Sequence, residues 1–247
     1  MNDFLEYVKV DPLFKKGNHN KMTFGMTYAF SENFILVISH DEVVHLKCSM
    51  INKMPGYKVD KFANLKVAYT FMMGHPGKKL LFMGQEFGQL SEWSEDKNLE
   101  WYLLNEPLHK EMQDYMAGLL KIYKSNKPLY AYDNNQNNYD SFQWINCDDA
   151  DRSIFSFIRK NPDSFSESLI FICNFTPIER DDYFLGVPLK GKYKVIADSF
   201  SETTDEDNFE TAKAKRDAMY VEDSYTAVEE ESDNLPYRLN IKLRPYE

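Results

Sequence analysis

The chain has 247 residues, of which 43% are hydrophobic and 15% aromatic, enough to bury a sizeable core in one large domain or two ordinary ones. A formal net charge of −10, with no compact Lys/Arg stripe to offset it, would repel phosphate backbones and anionic lipid surfaces, so neither nucleic acid nor membrane is expected as a partner. Cys48, Cys147 and Cys173 are odd in number and irregularly spaced, which argues against a disulfide framework and a CxxC metal motif and for a reducing, cytoplasmic setting.

The amino terminus, Met1 to Glu6, lacks the basic-then-apolar order of a leader, and no apolar run approaches the roughly 18 residues of a membrane span. Asn2 to Val8 predicts a short helix cut off by Asp11-Pro12, and the polar, basic stretch Leu13 to Lys21 reads as a loop. Thr23 to Phe30 fits strand or helix by period alone. Asn33 to Ser39 is apolar on both faces, as expected of a parallel strand covered on both sides. A long loop, His40 to Tyr57, closes on Met54-Pro55-Gly56, and Asp60 then opens a helix with Phe62, Leu65, Tyr69 and Met72 or Met73 at helical spacing. Lys78 to Met83 is a second apolar strand, broken at Gly84. Strand, loop, helix, turn and strand together predict a βαβ unit with its chemistry at the strand ends.

A further helix is predicted over Pro107 to Ser125. Past Pro128 the period changes to short strand-like runs: Phe142 to Ile145, Ser153 to Arg159, Leu169 to Asn174, Tyr193 to Ile196 and Tyr237 to Leu243. They predict an antiparallel β-sandwich over 128–247 behind a first domain over 1–127, with the boundary near 126–140. The acidic stretch Ser199 to Asn234 reads as a solvated, mobile insertion.

The richest cluster is Ser39-His40-Asp41-Glu42-Val43-Val44-His45, at the exit of the first apolar strand, where a parallel barrel places its functional groups. His40 and His45 are five apart, not the four of an H-E-x-x-H zinc helix, so no metal is expected, and no cofactor motif is present: the glycine pairs around 74–77 and 84–88 match neither dinucleotide nor P-loop spacing. No G-x-S-x-G elbow occurs. Asp41 and His40 are the leading site residues. Glu42 and His45 could support the site or pack the loop, and Glu86, at the exit of the second strand, could touch substrate or hold structure.

Phe34 to His45, FILVISHDEVVH, resembles the fourth signature region of the α-amylase superfamily in the form found in glycogen branching enzymes. Lys61 to Trp93 resembles the stretch that follows in the same family, and Asn174-Phe175-Thr176-Pro177 resembles a motif of its C-terminal domain. The resemblance implies the last part of a (β/α)₈ TIM barrel followed by a β-sandwich, acting on α-1,4-glucan by a retaining double displacement that forms α-1,6 branches. It matches Asp41 to the carboxylate that holds the distorted sugar as a transition-state stabiliser, and His40 to its sugar-bonding neighbour; Glu42 and Glu86 are carried as substrate-binding candidates. The D-G-x-R-x-D motif, which in relatives bears the nucleophile, does not occur, and the one E-E-S string, Glu230-Glu231-Ser232, lies in the acidic stretch near the carboxyl end and not on an earlier barrel strand, where relatives carry the acid/base. A complete barrel takes about 250 residues and only about 125 precede the sandwich here, so a C-terminal portion, inactive alone, is expected.

Two departures stand out. Leu46 occupies a position where many relatives carry Gly, and the acidic insert replaces a Gly-rich loop; relatives also usually continue past Arg244-Pro245-Tyr246-Glu247. The competing readings are a non-catalytic glucan-binding or subunit-interaction module and a debranching or trehalose-forming relative, the second disfavoured by SHDEVVH. A partial barrel leaves strand edges unpaired, so self-association, or pairing with a missing N-terminal portion, is expected.

Overall fold

In the computed structural model, which describes residues 1–133, 139–219 and 224–247, the first half is a βαβ unit inside helices. Its elements are α1 (Asn2–Lys9), α2 (Asn20–Thr23), β1 (Ile35–Ile38), α3 (Met50–Lys53), α4 (Lys58–Gly74), β2 (Lys78–Leu81) and α5 (Pro107–Ser125). Strands β1 and β2 pair in parallel, from Ile35 opposite Lys78 to Ile38 opposite Leu81, with α4 as the crossover. The 17-residue α4 buries Phe62, Leu65, Tyr69 and Met72, as its spacing predicts. Asp60 closes its first turn by accepting the Tyr57 N–H at 3.0 Å.

The β1 expectation is corrected in one respect. Of its four residues only Ile38 is buried, Ile35 is 54% exposed, and Leu80 on β2 is 38% exposed. Each of the two strands has one partner among the described residues, so one edge of each is open.

The segment expected as a loop over Leu13 to Lys21 is helical: Pro12–Asn18 forms a 3₁₀ turn, capped by Asp11 accepting the Leu13 N–H at 2.9 Å, and α2 follows it. Within the turn Lys15 points its side chain inward, with its ammonium 5.1 Å from the ring centres of both Tyr7 and Phe175. Burial pushes Lys15 down to about 7. Phe24–Thr27, in the ambiguous stretch, is also 3₁₀.

The second half is antiparallel. Strands β3 (Phe142–Asn146), β4 (Ile154–Arg159) and β5 (Leu169–Asn174) form one sheet in that order. Strand β6 (Arg180–Val187) pairs with β9 (Tyr237–Leu243), and β7 (Lys192–Lys194) pairs with β8 (Ser224–Thr226). Strands β6 and β8 have no counterpart among the predicted runs. The acidic insert is also more ordered than expected: α6 (Phe209–Met219) lies within it, and Ser201 donates to Glu111 on α5 at 3.0 Å. Parts of the expected boundary and of the insert fall at 134–138 and 220–223, outside the described residues.

Among the described residues two hydrophobic cores result. One is confined to the β half, around Ile154, Tyr183, Leu185 and Ile241. The other is shared: Phe71 on α4 meets Phe155, Phe157 and Phe175 of the β half at 5.6–6.2 Å between ring centres. Gly74 sits at this junction because a Cβ there would lie 2.7 Å from Phe157 and 2.8 Å from Phe171.

Candidate functional site at the strand exits

After Ile38 the chain leaves β1 through a 3₁₀ turn, His40–Glu42, closed at both ends. Ser39 Oγ accepts the Asp41 N–H at 3.2 Å, while Glu42 Oε2 accepts the Ser39 N–H at 2.5 Å and its hydroxyl at 2.8 Å. Glu42 is thus engaged by its own turn. The turn leaves the Asp41 carboxylate in solvent, with 68% of its side chain exposed and Oδ1 3.4 Å from His40 Nε2.

His40 is held from behind. Its ring lies 5.7 Å from Trp93 and 5.9 Å from Phe82, and those two rings meet edge to face at 5.2 Å. Trp93 is fixed in turn by its backbone N–H, which donates 2.8 Å to the Val43 carbonyl.

The exit of β2 supplies the rest. Gly84 takes φ +87, which permits the 3₁₀ turn Gln85–Phe87 to start at once; a Cβ there would meet Gln89 at 2.7 Å. Gln85 is buried and accepts the Met50 N–H at 2.9 Å, and Leu90 O accepts from Ser49 and Asn52 at 2.9 and 2.7 Å. Glu86 is half-buried on this turn. It adds to the effect of burial in raising the Tyr69 phenol.

Glu92 is the main group that the sequence pattern does not reveal. Its carboxylate accepts the Cys48 N–H at 2.7 Å and the Leu46 N–H at 3.1 Å, with His45 Nδ1 at 3.8 Å. The Cys48 N–H holds Glu92 below the usual carboxylate range, against a smaller opposing effect of desolvation. From the other side Lys53, 8% exposed, donates to the Cys48 carbonyl at 2.6 Å and to that of Lys47. The turn between these charges holds Leu46 and Cys48 at φ 65° and 63°.

Two cavities lie elsewhere. One, of about 100 Å³, lies between Phe4, Tyr28, Phe34 and His75; the other, of about 170 Å³, runs along α5 opposite Ile196 to Ser201. Neither is lined by His40, Asp41, Glu42 or Glu86. Among the described residues no group of three or more His, Cys, Asp or Glu is placed to hold a metal ion, and no helix is long and apolar enough to cross a membrane.

Residues 144–247 match the family described as alpha amylase, C-terminal all-beta domain. Over 202 residues the chain is 54% identical to the 1,4-alpha-glucan branching enzyme GlgB of Butyrivibrio fibrisolvens, an alignment covering 82% of this chain and 31% of that enzyme. The chain is thus similar over most of its length to 1,4-alpha-glucan branching enzymes. The GlgB enzyme of Halothermothrix orenii is 43% identical over 245 residues, 99% of this chain and 37% of that one, so the chain spans about a third of the length of the curated proteins it matches.

Solved structures agree on the fold. A variant of AmyP in complex with maltotriose superposes with a TM-score of 0.60 at 12% identity, over 99% of this chain and 47% of that one. The type I pullulanase of Bacillus subtilis, complexed with maltose, gives 0.58 at 16% identity over 82% and 32%.

Proposed function

We propose that these residues form the C-terminal portion of a 1,4-α-glucan branching enzyme: the last βα units of a (β/α)₈ barrel over 1–127 and a β-sandwich over 128–247, serving α-1,6 branch formation in glycogen. The observation that carries this reading is the Asp41 carboxylate, exposed at the carboxyl end of a parallel strand beside His40.

In a retaining double displacement one carboxylate attacks the anomeric carbon, a second carboxyl donates and then recovers a proton, and a glucan hydroxyl replaces water as the acceptor. Asp41 would serve as the third acid, accepting hydrogen bonds from ring hydroxyls that tighten as positive charge grows on the sugar. His40, steadied by Trp93 and Phe82, would bond the same ring. Glu86 would contact glucan from the β2 exit, and Glu42 would act through the shape of the turn. The nucleophile motif is absent from the 247 residues and the single E-E-S string, Glu230-Glu231-Ser232, lies between β8 and β9 of the second half, so on this reading the chain alone forms no branches.

The test is incubation of pure chain with amylose, followed by detection of α-1,6 linkages, together with affinity electrophoresis in glycogen. Retarded migration that Asp41→Asn abolishes, with no new linkages, is expected. Branch formation by the chain itself would overturn the inactive reading, and retardation unaffected by Asp41→Asn would overturn the role of Asp41.

A second reading, a non-catalytic glucan-binding or subunit-interaction module, is favoured by the open edges of β1 and β2 and the exposure of Ile35 and Leu80. On that reading retardation or self-association persists when Asp41 is neutralised.

A further inference from the structure

The turn carrying Leu46 is held against its own preferences. A left-handed backbone is disfavoured for any side chain with a Cβ, yet Leu46 and Cys48 both adopt it, at φ 65° and 63°. The Leu46 side chain is 84% exposed, so the turn recovers nothing by burying it. A lone exposed leucine is ordinary. This one is fixed by two opposite charges from separate parts of the fold: Glu92 receives the Leu46 and Cys48 N–H groups, and Lys53, on α3, donates to the Lys47 and Cys48 carbonyls. The imidazole of His45, 87% exposed, flanks the turn 3.8 Å from Glu92. The turn stands on the same exit loop as Asp41, five residues on.

We propose that Leu46 is a glucan-contacting, specificity-determining residue, presented by a rigid turn as an apolar rest for the C–H face of a glucosyl ring in a chain bound at Asp41. The inference rests on the assignment of Asp41 to the glucan site. Glucopyranose carries its axial C–H groups as apolar patches between equatorial hydroxyls. An isobutyl group on a fixed stem covers one such patch without ordering a loop at the moment of binding, and the adjacent His45 can bond a neighbouring hydroxyl. Strain kept in place by surrounding groups is a known mark of binding surfaces.

The experiment is calorimetric titration of maltoheptaose into the full chain as wild type, Leu46→Asn, Leu46→Met and Asp41→Asn, with the melting temperature of each. Asn tolerates the left-handed region and lacks the apolar tip, so Leu46→Asn should keep or raise the melting temperature while weakening affinity about three- to tenfold. Leu46→Met should keep affinity within about twofold, since it restores apolar area. Unchanged affinity in Leu46→Asn, with Asp41→Asn weakened, overturns the role of Leu46 alone. Loss in both Leu46 variants together with a fall in melting temperature assigns the turn a purely structural role and also overturns it. Unchanged affinity in Asp41→Asn, or no binding by wild type at millimolar sugar, removes the Asp41 assignment and this inference with it.

Discussion

The Arg159 guanidinium on β4 donates to the carbonyl oxygen of Gly74, the last residue of α4, at 2.7 Å. Its other arm pairs with Asp133, whose second oxygen accepts the Gly77 N–H at 3.0 Å. One buried side chain therefore caps the crossover helix of the first half from the sheet of the second. Arg159→Met leaves Asp133 buried without its cation and should cost about 3–5 kcal/mol in urea unfolding. Arg159→Lys should recover part of that loss, because an ammonium cannot serve both acceptors with the same geometry.

Acid should destabilise the protein before its carboxylates titrate. Burial holds His19, His75 and His109 below the ordinary histidine value of 6.5, His75 down to about 3. Between the folded and unfolded values the unfolded chain binds protons that the folded chain does not, so the histidine contribution to stability is full above about pH 6.5 and declines as pH falls, for His75 down to about pH 3. Denaturation at stepped pH should show this slope, and His75→Phe should flatten it.

Removing the Glu92 carboxylate should loosen the turn it holds. In Glu92→Ala the amides of Leu46 and Cys48 lose both acceptors and should exchange with deuterium at least about tenfold faster, while those of α4 keep their rates. Glu92→Gln, with one acceptor oxygen left, should fall between.

Gly84 should tolerate no side chain. At φ +87, and with Gln89 2.7 Å from where a Cβ would stand, Gly84→Ala should lower stability by about 1–2 kcal/mol, readable as a shifted urea midpoint.

Self-association through the open strand pair should respond to charge. Sedimentation of wild type is expected to show concentration-dependent dimers or larger species, and Ile35→Lys with Leu80→Lys should shift it towards monomer. A wild-type chain that stays monomeric at high concentration would count against an adhesive edge.

Local pattern carries the long elements. α5 and β9 match their predicted bounds because periodicity and breakers coincide there: Pro107 opens the helix, and alternate burial of Leu239, Ile241 and Leu243 marks the strand. β6 is hidden because Arg180-Asp181-Asp182 supply no apolar signal; only its pairing with β9, distant in sequence, buries Tyr183, Leu185 and Val187. α6 is masked by acidic composition. At the candidate site, Asp41 and His40 are legible as polar residues closing an apolar run. Glu92 is not, since its partners at 46 and 48 lie more than forty residues away and nothing beside it in the chain announces them.

Phe71 joins the aromatic rings of both halves, with Phe155, Phe157 and Phe175 packed around it. Expressed without its neighbour, the carboxy-terminal half would turn this greasy wall towards water and should be sticky and poorly soluble. Heating the intact chain should therefore melt both halves in a single cooperative step, and excising either at the predicted boundary should yield two unstable pieces rather than two modules.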